Sequence, residues 1–351
     1  MIRNDRQRRA RRTGLRAGLA ALLLTGAASG LDRPFPPMPG ESPTIARVAL
    51  GRLLFFDPVL SRDGSLSCAH CHRPDRGLSD GLATARGMHG AQLARNTPTL
   101  YNAAFKPRLM WDRRAASLEE QVYLPLLAAD ELDADPPRLL AKLGAIPEYA
   151  QRFAAAFPED APARAVSLAN LARALAAFER TLVSRDSRYD RYARGARDAL
   201  SARERRGLAL FRSLATRCFE CHRLPTFDAP LALSIGVPSP DPGVGAISGS
   251  EAQRGFFGVP SLRNVALTAP YMHDGSLATL EEVIDFYRRG GGLARGVPAT
   301  RLHEFVRPIA LSDAEAADLV SFLRALSDEG ARPAVPERVP SGAPVLAGLA
   351  R

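Results

Sequence analysis

The sequence predicts a mainly α-helical protein that is built from two similar halves. Three observations support this prediction. The pentapeptide Cys-x-x-Cys-His occurs twice, at residues 68–72 and 218–222. Apolar residues recur at helical spacing in several segments, and no segment shows the alternation that is typical of a strand. A stretch of the first half also recurs in the second half without a gap.

Both pentapeptides have the form that attaches a c-type haem, in which two thiols add to the vinyl groups and the next histidine becomes the proximal iron ligand. A zinc site or a redox dithiol needs only the cysteine pair and does not explain the adjacent histidine. Small domains of this kind bury their haem among helices. The sequence therefore predicts two covalently bound haem c groups, held by Cys68, Cys71, His72, Cys218, Cys221 and His222.

The formal net charge of +10 is concentrated at the N-terminus, where the first sixteen residues hold seven arginines against Asp5. Six of the ten charges lie there, so the rest of the chain gives no reason to expect a nucleic-acid partner. An apolar run follows at 15–28 and ends in small residues, which is typical of a secretory signal and short for a membrane span. We expect a signal peptide at 1–30 and a periplasmic location, with an uncleaved membrane anchor as the alternative. The Arg11-Arg12 pair leaves the export route, Sec or twin-arginine, open.

The remaining elements are predicted in chain order. Residues 31–40 are rich in proline and are predicted to be a linker. Ser42 is predicted to cap the first helix, with Pro43 at the first helical position. Residues 167–182 are predicted to form a second helix. The N-terminal haem domain would span 41–195.

The second half is predicted from its helix starts. Two capping boxes, Ser201 with Glu204 and Ser312 with Glu315, predict one helix that leads into the second pentapeptide and one near the end of the chain. Residues 237–250 are predicted to be a surface loop. The C-terminal haem domain would span 196–330, and a disordered tail would follow at 331–351.

The internal repeat appears when the sequence is shifted by 162 positions, which places residues 98–125 on residues 260–287. Ten of these 28 aligned positions are identical, and they include Pro-x-Leu-x-Asn and Met-x-Asp patterns that chance similarity between Ala-rich helices would not produce. The two pentapeptides are offset by 150, and extra loop in the second half would account for the difference of 12. We therefore predict a duplicated haem domain.

One difference between the two copies concerns iron ligation. Tyr287 aligns with Pro125, and a phenol can bind iron whereas proline has no ligating side-chain atom. If this position faces the sixth coordination site, the second haem is capped and the first is open. Met272 and His273 are competing ligands, but Met272 aligns with Met110, which would predict two capped haems.

Other differences indicate chemistry at the first haem. Gln121 aligns with Val283, so an amide replaces an apolar side chain, and Glu131 lies ten residues further on. Cleavage of a peroxide needs a group that moves a proton between the two oxygens, and a carboxyl beside an amide would serve. A solvated helix end is the alternative for Glu131. Trp111, the only tryptophan, would be an electron relay between the haems or a core residue.

With these features, residues 50–326 resemble a known family, the bacterial di-haem cytochrome c peroxidases with the related methylamine-utilisation enzyme MauG. The resemblance rests on Leu-Leu-Phe-Phe-Asp-Pro at 53–58, Arg-Asn-Thr-Pro at 95–98, Trp-Asp at 111–112, Leu-Glu-Glu-Gln at 118–121, Pro-Ser-Leu-Arg-Asn at 260–264 and Thr-Ala-Pro-Tyr-Met-His-Asp-Gly at 268–275. It implies a mainly α fold with two cytochrome c-like haem domains.

The resemblance also implies roles for individual residues. His72 and His222 would be the proximal ligands, and Trp111 would lie between the haems. Tyr287 falls where the peroxidases carry a methionine ligand and MauG a tyrosine. The distal-pocket residues would be Gln121, Pro125 and Glu131. The residues that hold a calcium ion between the domains, through oxygen atoms and water, would be Asn96, Thr268 and Pro270.

The sequence departs from the family pattern in two places. Some peroxidases carry a histidine that caps the first haem in the oxidised state, and the matching position here is Met88, with His89 beside it. Whether either residue caps the first haem stays open at this point. Arg113 stands where the family has a glycine.

Three functions are therefore considered. The first is an exported peroxidase that reduces hydrogen peroxide at the His72 haem with electrons from a small cytochrome c or cupredoxin. The second is a MauG-like oxidase that uses peroxide to oxidise a protein or a small molecule. The third is a non-catalytic electron carrier. A homodimer is included among the expected partners.

Overall fold

The computed structural model describes residues 30–345, and the prediction of a mainly α fold is confirmed. The predicted signal peptide lies outside the described residues except for Gly30. The helices and strands are α1 Ile45–Phe56, α2 Cys68–Cys71, α3 Leu118–Leu127, α4 Pro136–Ala145, α5 Pro147–Ala156, α6 Pro162–Ala165, α7 Leu168–Glu179, α8 Arg188–Ala193, α9 Ala202–Phe211, α10 Cys218–Cys221, β1 Ala232–Leu233, α11 Val244–Ser248, β2 Phe257–Gly258, α12 Leu280–Arg288 and α13 Asp313–Arg324. The two strands pair antiparallel, with Ala232 opposite Gly258. None of the helices in this part of the chain is both long and apolar enough to cross a membrane.

The first half is built on the contact between α1 and α7. Gly51 of α1 allows this contact, because a Cβ there would lie 1.9 Å from the carbonyl oxygen of Ala174 and 3.0 Å from the Cβ of Phe178. The ring of Phe178 then packs 5.1 Å from that of Phe55 in a core of fully buried side chains. Burial of these rings is the main driving force for the pairing of the two helices.

The second half repeats this arrangement with α9 and α13. A Cβ on Gly207 would lie 2.0 Å from the carbonyl oxygen of Asp318 and 2.8 Å from the Cβ of Phe322. Phe322 is completely buried against the ring of Phe211, at 5.2 Å between ring centres. Each half thus has its own core, and each core is centred on one pair of helices that approach closely at a glycine.

The backbone of the sequence repeat is also the same in both halves. Asn102 and Asn264 both adopt left-handed backbone, with φ of 61° and 60°, and so do Met110 and Met272, with φ of 71° and 73°. Arg113 has φ of 61° where its counterpart Gly275 has 65°. A glycine is favoured at this position because left-handed backbone is strained for a residue with a Cβ.

The two halves meet through a matched pair of backbone hydrogen bonds. The Asn96 N–H donates to the carbonyl of His273 at 2.8 Å, and the Gly258 N–H donates to the carbonyl of Trp111 at 2.8 Å. The two donors, Asn96 and Gly258, are 162 positions apart in the sequence, and so are the two acceptors, Trp111 and His273. The two bonds are therefore equivalent under the shift that defines the sequence repeat. The contact therefore has the form of a two-fold interface between the two halves.

The predicted helix starts are confirmed at both capping boxes, Ser201 with Glu204 and Ser312 with Glu315. The predicted start at Ser42 is wrong. The N-cap is Thr44, whose hydroxyl accepts from the Arg47 N–H, so Pro43 lies before the helix rather than inside it. The helix predicted for 167–182 begins as expected after Ser167 and ends at 179.

The segments outside the two domains are more ordered than the sequence predicts. In the predicted linker, Leu31 is buried in the core of the second half, and its carbonyl accepts from the Tyr189 hydroxyl at 3.1 Å. The predicted disordered tail is wrong for residues 331–345. Val339 is buried in the core of the first half, and the Ser341 hydroxyl donates to the Asp57 carboxylate at 2.6 Å.

The predicted surface loop at 237–250 is also partly incorrect, because it contains α11 and reaches the first half. Asp241 accepts two hydrogen bonds from the Arg95 guanidinium, at 2.6 and 3.0 Å. Arg95 also donates to Asp112 at 2.6 Å. These charge-assisted bonds hold the loop against the first half.

Candidate haem sites

The first pentapeptide lies at a cavity of about 1510 Å³, which we call the first cavity. Cys71 and His72 line one part of it, and Gln121, Pro125 and Glu131 line another. A side cavity of about 70 Å³ adjoins it and is also lined by Cys68. The structure therefore brings the thiols and histidine of the first pentapeptide together with all three expected distal residues.

The second pentapeptide lies at a cavity of about 260 Å³, which we call the second cavity. Cys218, Cys221 and His222 line it together with Tyr287. Its other walls are mainly apolar, with Ile284 and Leu323 among them.

Both histidines are prepared to bind a metal through Nε2. The Nδ1–H of His72 donates to the carbonyl of Leu78 at 3.0 Å, and that of His222 donates to the carbonyl of Phe227 at 3.1 Å. These bonds fix the ring orientation and leave the Nε2 lone pair free. Burial lowers the pKa of both imidazoles, although the backbone carbonyls oppose this, and the neutral form is the one that binds iron.

The short helices α2 and α10 place the three residues of each pentapeptide. The His72 N–H donates to the carbonyl of Cys68 at 2.9 Å, and the His222 N–H donates to that of Cys218 at 2.9 Å. One helical turn therefore puts both thiols and the histidine at the same cavity. The residues present fit two covalently attached haem c groups.

The expected distal residues of the first cavity lie on α3 and in the turn after it. Pro125 lies inside α3 and has no N–H to donate to the carbonyl of Gln121, one turn earlier. The Gln121 amide donates to the Met110 sulfur at 3.8 Å. Glu131 follows in the turn, where its N–H donates to the carbonyl of Ala128 at 3.0 Å.

The electrostatics of Glu131 differ from those of a solvated helix end. Burial raises the pKa of its carboxyl, the neighbouring Asp130 raises it further, and Arg114 lowers it. A raised pKa favours the protonated carboxyl, which is able to donate a proton into the cavity.

The second cavity contains all three candidate sixth ligands, Tyr287, Met272 and His273. Burial raises the pKa of the Tyr287 phenol, and the thiols of Cys221 and Cys218, which line the same cavity, raise it further. The His273 ring stacks on that of Phe257, with 3.7 Å between ring centres. Its Nε2 is buried and has no hydrogen-bond partner among residues 30–345.

Trp111 lines both the first and the second cavity. Its indole N–H donates to the carbonyl of Asn96 at 2.9 Å, which fixes the ring. Its ring is tilted by 71° to that of His273, its counterpart in the sequence repeat, at 6.5 Å between ring centres.

The residues expected to hold calcium, Asn96, Thr268 and Pro270, all line the second cavity. Asn96 comes from the first half and the other two from the second. The Asn96 side-chain amide donates to the carbonyl of Leu82 at 2.8 Å, so its nitrogen is already used. No group of three His, Cys, Asp or Glu side chains in the described part of the chain is arranged to hold a metal. A cation here would therefore rely on amide, hydroxyl and carbonyl oxygens, which suit a hard ion.

The two candidate switch ligands, Met88 and His89, lie in a loop next to the first cavity. His89 is exposed, with left-handed backbone at φ of 54°, and Met88 is buried. Neither residue lines the first or the second cavity. The Met88 N–H donates to the carbonyl of Asp130 at 3.0 Å, which joins this loop to the turn that carries Glu131.

Sequence reasoning missed one further polar residue of the first cavity. Glu179, the last residue of α7, lines both the first cavity and the side cavity. A glutamate in an Ala-rich helix next to Arg180 looks like one half of a surface ion pair. Alignment of α7 with α13 would have revealed it, but these helices lie outside the repeat of 98–125.

Comparison with known proteins agrees with this geometry. The family model described as di-haem cytochrome c peroxidase matches residues 45–198. The chain is 40% identical over 305 residues to methylamine utilization protein MauG of Methylorubrum extorquens, which covers 86% of this chain and 84% of that protein. It is 34% identical over 278 residues to cytochrome c551 peroxidase of Nitrosomonas europaea, covering 77% of this chain and 81% of that one.

A solved structure supports the same conclusion for the fold. The crystal structure of a MauG-like protein associated with microbial copper homeostasis matches with a TM-score of 0.76 and 34% identity, over 86% of this chain and 97% of that one. The chain belongs to the di-haem cytochrome c peroxidase family and is an oxidoreductase, and this membership implies two haem c groups.

Proposed function

We propose that the chain reduces hydrogen peroxide at the first haem and receives electrons through the second. One observation carries this proposal: at equivalent positions of the two copies, the first cavity has Pro125 and the second has Tyr287. A proline leaves the sixth coordination site open to a small substrate, whereas a phenol fills it. A haem held in the first cavity would therefore leave room for peroxide, whereas the phenol would take that place in the second.

The residues around the open site then have defined tasks. The haem supplies the redox chemistry when it is bound. Glu131 holds a proton in the cavity because burial favours its protonated form, and it delivers this proton to the oxygen that leaves as water. Gln121 orients the peroxide by hydrogen bonding, since its amide lies on the same wall.

Electrons reach the first cavity from the second. Trp111 is the proposed relay, because its ring is fixed by a hydrogen bond and lines both cavities. A small cytochrome c is the proposed donor, since a relative is named cytochrome c551 peroxidase, and a cupredoxin is the alternative.

The two halves are proposed to be a duplicated haem domain. Three features support this: the left-handed residues that recur at a spacing of 162, the glycine contacts of α1 with α7 and of α9 with α13, and the matched hydrogen bonds between the halves. We also propose calcium at Asn96, Thr268 and Pro270, where its role would be to hold the two halves together. Export to the periplasm is proposed from the N-terminal sequence, and a homodimer stays a prediction.

Glu131→Gln tests the proposed reaction most directly. The holoprotein with both haems should oxidise a reduced donor cytochrome when peroxide is added. Glu131→Gln should slow this oxidation by roughly 10²–10⁴-fold, because the amide keeps the shape of the carboxyl and cannot donate its proton in the same way. Glu329→Gln is the matched control, since Glu329 is an exposed glutamate that lines neither cavity. Equal rates in the wild type and in Glu131→Gln would contradict the assignment.

A second function is favoured by Tyr287. An anionic phenolate stabilises oxidised iron better than a thioether does, so both haems together would hold two oxidising equivalents. The enzyme would then oxidise a protein or a small molecule in the manner of MauG. Slow oxidation of cytochrome c with a long-lived oxidised state after peroxide would favour this function. A non-catalytic electron carrier would not react with peroxide and would instead have a sixth ligand at both haems. Pro125 has no side-chain atom that could be this ligand at the first haem.

A further inference from the structure

Glu179 is a buried carboxyl in the wall of the first cavity. The residue is 6% exposed, and its Oε2 is buried without a hydrogen-bond partner among residues 30–345. An ionised carboxylate in such a place costs free energy, and the group avoids this cost when it holds a proton. A buried carboxyl that stays protonated is a store of one proton next to the cavity.

The charges around Glu179 do not offset its burial. Arg180, the C-cap of α7, is a cation beside it, but its guanidinium pairs with Glu119 of α3 at 2.7 Å. The other titratable groups that line the side cavity with Glu179 are Cys68, His70, Cys71, His72 and Glu131, and the two thiols are uncharged once they are bound to haem. Burial raises the pKa of Glu179 to about 8, against the lowering effect of Arg180 and with a further rise from Glu119.

The second half shows that the fold does not require an acid at this place. Phe178 of α7 and Phe322 of α13 occupy equivalent positions, because each packs its Cβ against the glycine where the helices approach closely. One residue further on, Glu179 corresponds to Leu323, which lines the second cavity. The carboxyl is therefore specific to the half with the open site, as are the amide of Gln121 and the proline at 125.

We propose that Glu179 is a second proton-donating carboxyl of the first cavity and supplies one of the two protons that peroxide reduction consumes. This inference rests on the function proposed above. In the balanced reaction the O–O bond breaks, and hydrogen peroxide takes up two electrons and two protons to give two waters. The electrons come from the donor protein. Glu131 and Glu179 give one proton each and are protonated again by solvent.

The proton on Glu179 is measurable without any turnover. Infrared difference spectra of the oxidised holoprotein, recorded without peroxide as pH is raised, should show a carboxylic acid C=O band that disappears around pH 8. Glu179→Gln should lack this band, and Glu131→Gln should keep it. Glu119→Gln should move the transition to lower pH, because it removes a negative charge and frees Arg180 to face Glu179. An unchanged band in Glu179→Gln would overturn the proposal.

The second readout is turnover at pH 7. Glu179→Gln should oxidise donor cytochrome about tenfold more slowly or worse. Glu179→Leu introduces the residue found at the equivalent position of the second half. It should keep both haems and slow the oxidation to a similar extent. Glu179→Asp keeps a carboxyl and should retain part of the wild-type rate. Full wild-type activity in both Glu179→Gln and Glu179→Leu would overturn the proposal while the proposed function stands. Absence of peroxide turnover in the wild type would instead contradict the proposed function itself.

Discussion

At the residue scale, the chemistry of each haem site depends on few side chains. His72 and His222 are held in the same way, each by a hydrogen bond from Nδ1 to a backbone carbonyl. The two cavities differ in another lining residue, which is Pro125 in the first and Tyr287 in the second. This difference supports the proposal that the two haems have different tasks.

Tyr287→Met should raise the reduction potential of the second haem. A phenolate is an anionic, hard ligand that favours ferric iron, and a thioether favours ferrous iron. Both haems should stay attached, because attachment depends on the pentapeptides. Redox titration followed by optical spectra measures the change. Tyr287→Phe is the control that keeps the ring and removes the oxygen. If the spectrum and both potentials are unchanged in both variants, Tyr287 is a core residue and Met272 or His273 becomes the candidate ligand.

At the scale of elements, each half depends on one pair of helices whose backbones touch at a glycine. Gly51 and Gly207 each face the carbonyl of the partner helix at a distance that no Cβ tolerates. In the chain, α1 comes before α2 and α9 comes before α10, so each glycine contact lies in the half that carries one pentapeptide.

Gly207→Ala should destabilise the second half by about 1–3 kcal/mol, because the new methyl group forces α9 and α13 apart. Gly144→Ala is the matched control. It lies in α4 with nothing within 4 Å of its Cβ position and should stabilise the protein by about 0.5–1 kcal/mol. Denaturant unfolding of the holoprotein measures both changes. A loss of stability at position 144 that equals the loss at 207 would contradict the role of the close contact.

Helix ends were predictable where the cap is a local pattern. The capping boxes at Ser201 and Ser312 need only residues three apart, and both predictions are confirmed. The start at Ser42 was wrong because three successive residues, 42–44, all suit a helix start by type. Packing of the helix against α7 selects among them, and no local pattern contains that information.

At the scale of the whole molecule, long-range contacts attach to the two halves segments that were predicted from the sequence to be a loop, a linker and a disordered tail. Arg95 connects the loop of Asp241 to the first half across 146 positions. The C-terminal segment returns to the first half, where Ser341 reaches Asp57 across 284 positions. The linker and the disordered tail were predicted from the average composition of each segment. An average does not show that single residues of the segment are buried or hydrogen-bonded.

Val339→Ala should destabilise the first half by about 1.5–3 kcal/mol, because the side chain is buried in that core. Glu337→Ala, at an exposed position of the same segment, is the control and should change stability by less than about 0.5 kcal/mol. Thermal unfolding followed by the haem spectrum measures both effects. Equal stability of the two variants would contradict the packing of the C-terminal segment on the first half.

The sites were predictable to the extent that their chemistry lies in short motifs or in the repeat. The pentapeptides define both attachment sites, and the repeat identifies Pro125, Gln121 and Tyr287 as differences. Glu131 was proposed because it lies ten residues after Gln121, and the resemblance to the family implied the same role. Glu179 was missed because its burial depends on how α7 packs, which a one-dimensional pattern does not contain.

Low-temperature EPR of the fully oxidised holoprotein tests the central claim, that one haem is open and the other is capped. The account predicts two ferric signals of equal spin count. One would be high-spin, from the haem of His72 with an open or water-bound sixth site. The other would be low-spin, from the haem held by His222 and Tyr287. Two low-spin haems would contradict the account, because neither iron would then be open to peroxide.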